Sequence, residues 1–146
     1  MRRSAAVAAL GALVLAGCGS SRLSTDQLRA QATQLCNRAQ TQTDRITTPS
    51  SPDEAAAFLQ RGIAVMEPEV RHLRALRPPQ RLVSTYAAGT RALAAQIAAL
   101  NAAVAAIDRG DSPVTATKAL GQKLAPLRTE ADAAWGALQI PACLSR

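Results

Sequence analysis

Three cysteines and one histidine carry the most versatile side-chain chemistry in this 146-residue chain: Cys18, Cys36, Cys143 and His72. A thiol can serve as a nucleophile, a metal ligand or half of a disulfide. No two of the cysteines form a CxxC pair, and none has a histidine at metal-ligand spacing, so no metal site is expected. His72 stands beside the apolar positions Val70 and Leu73 but off their stripe, among Arg71, Arg74 and Arg77. That setting reads as a solvated surface histidine. Met66 and His72 lie six residues apart on one helical stretch, which does not suit axial haem ligation from facing helices. There is no pair of Glu-x-x-His motifs for a di-iron centre. Glu67 and Glu69 flank Pro68 without an evident partner base. GxSxG, P-loop and glycine-rich phosphate cradles are all missing from the sequence. The expectation is a protein that is not an enzyme and holds no cofactor.

Cys18 is the exception, because its neighbourhood has a pattern. Met1-Arg2-Arg3 is a short positive segment, and Ser4 to Leu15 is apolar over about a dozen residues, the length of a signal-peptide core and too short to span a bilayer. Leu15-Ala16-Gly17-Cys18 follows, and then the polar Gly19-Ser20-Ser21. A branched apolar residue, two small residues and a cysteine resemble the lipobox of bacterial lipoproteins. The residue types suit the chemistry: the thiol accepts the lipid, and small neighbours let an extended backbone enter a protease site. The resemblance implies removal of residues 1–17, acylation of Cys18 with palmitate-type chains, and a tether over 18–23. It covers only the first twenty or so residues. The remainder is similar in composition to small Ala-rich envelope lipoproteins of high-GC bacteria.

Two or more acyl chains anchor a protein stably where one does not. The resemblance therefore places the domain on the extracytoplasmic face of the cell membrane, in an oxidising compartment. With Cys18 lipidated, Cys36 and Cys143 remain, and an exported domain with two further cysteines is expected to pair them.

The formal net charge is +7, of which Arg2 and Arg3 contribute two. The +5 left over residues 18–146 is modest, and no aromatic-rich or Gly-rich pattern for nucleic acid accompanies it. An anionic membrane surface accounts for it equally well. Hydrophobic residues make up 48% of the chain but aromatics only 2%, so the apolar content is mostly alanine and leucine. Alanine is the strongest helix former. The composition predicts an all-α protein.

Punctuation and periodicity divide residues 24–146 into four helices, at about 24–46, 52–76, 79–108 and 113–138. Ser24 with Gln27 reads as a capping box, flanked by Leu23 and Leu28 as a hydrophobic staple. Ser51-Pro52-Asp53-Glu54 repeats the start signal, and Ser112-Pro113 does so again. Stripes follow at Leu28, Ala32, Leu35, Ala39, Ile46; at Leu59, Ile63, Met66, Val70, Leu73; at Leu82, Tyr86, Leu93, Ile97, Leu100, Val104, Ile107; and at Leu120, Leu124, Leu127, Ala131, Trp135, Leu138. Gly89 reads as a gap in the third stripe. Pro68 and Pro126 are expected to bend their helices without ending them, because each stripe continues in phase. Ile140-Pro141 stops the last helix. Phe58, Tyr86 and Trp135 are expected in packing roles. Amphipathic helices with short connections predict an antiparallel up-down-up-down four-helix bundle, behind the signal peptide. A dimerising coiled-coil hairpin is the competing arrangement; the cysteine pairing favours a closed monomer.

In such a bundle the junction of the second and third helices shares an end with residues 18–24. Arg71, Arg74, Arg77 and Arg81 then become candidates for contact with anionic lipid, with Arg22, Arg29 and Arg146 nearby. Asp44, Asp53, Glu54, Asp108 and Asp111 collect at the far end. Dipole complementarity, with acids at helix N-termini and bases at C-termini, would explain part of this distribution. Two functions fit. One is a non-catalytic envelope lipoprotein that binds a protein or cell-wall partner. The other is a carrier of a hydrophobic or lipid ligand, held where Pro68, Gly89 and Pro126 loosen the bundle.

Overall fold

The computed structural model describes residues 21–144, and the signal segment, Cys18 and Arg146 lie outside the described residues. The described chain is all helical: α1 (Thr25–Thr43), α2 (Ala55–Ala75), α3 (Val83–Asp108) and α4 (Pro113–Leu138), with short 3-10 turns at Pro52–Glu54, Gln80–Leu82 and Pro141–Cys143. Its order is up-down-up-down. The start of α1 meets the end of α2 through the Leu23 N–H, which donates to the Arg77 carbonyl at 2.8 Å. The end of α4 meets the first turns of α1 through Arg29 Nε, which donates to the Leu138 carbonyl at 3.0 Å.

The stripes become the core. Leu28, Leu73, Trp135, Leu138 and Ile140 are fully or almost fully buried, and Leu59, Ile63, Leu93, Leu100, Leu120 and Leu124 complete the cluster. α3 forms the most extensive interface, with α4, and the next largest, with α2. Alanines make the first of these close: Ala92, Ala103, Ala116, Ala131 and Ala134 are all buried. The stretch Gln80–Asp108 is apolar and long enough to cross a membrane by composition. Here it is the central helix of the bundle, covered on two sides by α2 and α4.

The local signals behave unequally. The Ser24 box forms as expected, with the Gln27 N–H donating to Ser24 Oγ at 3.2 Å and the Ser24 N–H to Gln27 Oε1 at 2.9 Å. Leu28 is buried and Leu23 packs against the core. Ser51 makes no capping bond. The Glu54 carboxylate reaches back to Ser50 instead, accepting from its N–H at 2.8 Å and its hydroxyl at 2.9 Å, so α2 enters through a 3-10 turn. Those two bonds, the backbone one first, hold the exposed Glu54 carboxyl below its ordinary pKa range. Ser112 likewise makes no capping bond, although Pro113 does open α4.

α1 stops at Thr43, short of Ile46. Beyond Ala39 the helix has no core face, since residues 40–43 are all exposed. Gln40 then donates to Asp44 Oδ1 at 2.7 Å, and a turn at Arg45 and Ile46 closes the end. α2 and α4 both run through their internal prolines, Pro68 and Pro126.

Gly89 is not a gap. The Trp135 indole lies on it, and a Cβ built there would stand 2.9 Å from Trp135 Cε2. Tyr86, one turn earlier on α3, meets the same indole edge to face with centroids 5.6 Å apart. Gly89 is therefore the seat that lets α4 press its largest side chain against α3. Replacing Gly89 with alanine should destabilise the fold by about 1–3 kcal/mol through overpacking. Gly62, also helical, has nothing within 4 Å of a built Cβ. Gly62→Ala should be neutral or stabilising by up to about 1 kcal/mol. Urea unfolding of both variants checks the contrast.

Candidate functional site

Cys36 and Cys143 form a disulfide across 107 residues of sequence, with Cα atoms 5.3 Å apart. Its geometry begins at the end of α4. The Gln139 N–H donates to the Gly136 carbonyl and the Ile140 N–H to the Trp135 carbonyl, both at 3.0 Å, while Gln139 takes the left-handed conformation at φ 59°. That bond pair is a Schellman motif, and the accompanying apolar contact joins Ile140 to Trp135, both fully buried. The chain reverses, and the turn Pro141–Cys143 lays Cys143 against α1. Cys143 Sγ rests 3.9 Å from the Ala32 carbonyl oxygen, a packing contact, because a disulfide sulfur carries no proton.

Sequence arithmetic makes this closure tight, since Cys36 lies ~18 Å along α1 from Ser24. The structure eases it. The Arg29 side chain holds the Leu138 carbonyl against α1, and the turn Pro141–Cys143 then lies along α1 and carries the chain to Cys36. The Leu23 N–H meanwhile ties the start of α1 to the α2–α3 junction.

At that junction the arginines gather. Arg22 Nη1 donates to the Pro78 carbonyl at 3.1 Å, and Arg81 Nη2 to Thr25 Oγ1 at 2.7 Å. Arg22, Arg77 and Arg81 are exposed and sit around the loop 76–79. Arg74 is exposed in the last turn of α2. Arg71 stands about a turn further down, where it shares a surface groove between α2 and α3 with Glu67 and Arg74. Arg29 is partly covered, occupied by the Leu138 carbonyl and 3.9 Å from Asp26. A hollow of about 400 Å³ opens at the junction, lined by Arg22, Leu76, Arg77, Pro78 and Val83.

The opposite end brings together Pro49–Ala55 and Pro113–Thr117 around a hollow of about 350 Å³. Val114 is 61% exposed there, the exposed large hydrophobic among the described residues. Asp53, Glu54, Asp108 and Asp111 are exposed at the same end, as are Arg45 and Arg109. The charge contrast is thus a property of the two tips. α4 runs against it, with Lys118 and Lys123 in its first half and Glu130 and Asp132 in its second.

The chain matches no family model, no curated protein and no solved structure.

Other candidates disperse. His72 is exposed, as expected of it, on a groove between α1 and α2 with Arg38, Gln42 and Glu69. Among the described residues no three His, Cys, Asp or Glu side chains come together to hold a metal. Phe58 packs partly buried against the core, and Met66 does the same. Tyr86 donates to the Leu73 carbonyl at 2.8 Å, closing the last turn of α2, and burial pushes its phenol pKa upward. Glu69, Thr90 and Gln96 are buried polar side chains that the apolar stripes do not reveal. Glu69 lies three residues from Met66 and four from Leu73, on the flank of its stripe, where a polar residue leaves the apolar period unchanged. As for a ligand held where the bundle is loose, the Gly89 position is filled by the Trp135 indole.

A bridge that closes a loop of this length contributes up to about 4–5 kcal/mol in the chain-entropy account. Reduction should lower the urea midpoint by a large fraction of the total stability. It should also free the amides of α1 to exchange before those of α3 and α4. An unchanged midpoint on reduction would mean that α1 is held by its other contacts.

Proposed function

We propose that this chain is a membrane-anchored exported lipoprotein of the cell envelope, non-catalytic, which presents a helical bundle to a protein or cell-wall partner. The observation that carries the reading is Leu15-Ala16-Gly17-Cys18 behind two arginines and an apolar dozen. The pairing of Cys36 with Cys143 supports it, because such bridges persist in oxidising compartments. The placement of Leu23 at the α2–α3 junction supports it too, because the tether then leaves from one tip and the other tip points away from the bilayer. At that outer tip Val114 and three prolines offer an apolar contact point. The Trp135 indole fills the Gly89 position, one of the three places expected to loosen the bundle, which favours partner binding over carriage of a ligand inside it.

Metabolic labelling with an alkyne fatty acid in a bacterial host tests the anchor. The wild-type chain should take up the label and Cys18→Ala should take up none. Equal labelling of the two, or none in the wild type, would remove the reading.

A further inference from the structure

We propose that the α2–α3 tip is a docking surface for anionic phospholipid headgroups, which holds the bundle end-on against the bilayer. The tether part of the argument rests on acylation of Cys18; the charge and shape of the tip do not.

Helix dipoles explain only part of this arginine cluster. A dipole favours cations at a helix C-terminus, which suits Arg74 in the last turn of α2. Arg22 precedes the N-cap of α1, and Arg81 lies in the turn that leads into α3. Both are cations at helix starts, where the dipole favours acids. Three chain segments therefore converge positive charge on one loop, two of them against local preference, and Arg22, Arg74, Arg77 and Arg81 are all exposed.

The acids at this end are outnumbered. Asp26 lies in the first turn of α1, 3.9 Å from Arg29. Asp132 is six residues before Leu138, the last residue of α4, and so sits ~9 Å down that helix at 1.5 Å per residue. Such an offset is about a Debye length at physiological salt.

Shape agrees with charge. The junction hollow of about 400 Å³ has Leu76, Pro78 and Val83 as apolar lining and Arg22 and Arg77 as cationic lining. Guanidinium groups pair with phosphate through two parallel hydrogen bonds, and the apolar lining suits glycerol and the first methylenes. Leu23 is five positions beyond Cys18, a reach of ~17 Å when fully extended. With the Leu23 N–H fixed to the Arg77 carbonyl, an acylated Cys18 keeps this tip beside the headgroups. Each arginine near an anionic surface is worth about five-fold in binding.

The test uses the full processed chain with vesicles of phosphatidylcholine alone, or of phosphatidylcholine mixed with phosphatidylglycerol at roughly three to one. Flotation reports anchoring, and hydrogen exchange of the backbone amides of residues 22–25 and 76–83 reports docking. The expected result is flotation on both vesicles, with exchange at the tip several-fold slower on the anionic ones. High salt and the triple variant R22Q/R77Q/R81Q should both abolish that slowing. The triple lysine variant R22K/R77K/R81K should keep most of it, and an intact disulfide with an unchanged far-UV spectrum shows that both variants fold. Equal exchange on the two vesicles, with the protein floating on both, overturns docking and leaves the anchor. Flotation on anionic vesicles only supports docking and overturns the anchor. Flotation on neither overturns both.

Discussion

The bond between Cys36 and Cys143 is the constraint on which the arrangement of the other parts depends. α1 is the weakly held member of the bundle. Its core face is narrow, with Leu28, Ala32, Cys36 and Ala39 as its buried residues, two of them alanines. It shares less surface with α2 than α2 shares with α3, and it meets α4 chiefly through the turn Pro141–Cys143. That turn lies along α1 in place of a long α1–α4 seam. Without the bridge, a helix with so little apolar surface would have to be ordered mainly by its contacts with α2. With it, the unfolded chain loses the freedom of a loop of more than a hundred residues, and ordering α1 becomes correspondingly cheaper.

The other half of the molecule needs no such tie. α3 and α4 pack closely because alanines face each other and because Gly89 has no side chain where Trp135 must go. Trp135 then touches Tyr86, and Tyr86 hydrogen-bonds the Leu73 carbonyl, so one chain of contacts runs from α4 through α3 to the end of α2. Trp135 Nε1 finds no acceptor among the described residues. An unmet buried donor of this kind costs about 1–3 kcal/mol, which the apolar burial of so large a ring can offset. Trp135 also ends the same path at the Schellman turn, where its carbonyl accepts from Ile140. The core contact and the reversal that brings Cys143 to α1 are thus built on one residue.

Much of this was legible in the sequence, and the failures have physical causes. α4 was read with its observed bounds because Pro113 and Ile140-Pro141 are strong local signals that tertiary contacts did not override. The alternation of four and three found nearly every buried leucine, isoleucine and valine. It could not find Glu69, Thr90 or Gln96, because polar residues on the flank of a stripe do not alter its period. Ser51 and Ser112 looked like caps by residue type, yet Glu54 reached Ser50 first and Ser112 left its hydroxyl unused. Gly89 read as an absence, since the residue that needs the space is forty-six positions away on another helix. The four arginines were visible as a cluster. Their division into tip and flank follows from the end of α2, read near residue 76 and found at Ala75, which leaves Arg71 about a turn below the tip.

Function enters at the two ends. In our proposal Cys18 and the arginines set one tip toward lipid, and the disulfide suits the oxidising compartment that the proposal requires. Both parts of that account meet in a single intact mass, taken on protein extracted from its own membranes and alkylated without reduction. The account predicts a chain that begins at Cys18, carries acyl chains, and takes up no alkyl group at Cys36 or Cys143. A mass that retains residues 1–17, or that gains two alkyl groups, would contradict it.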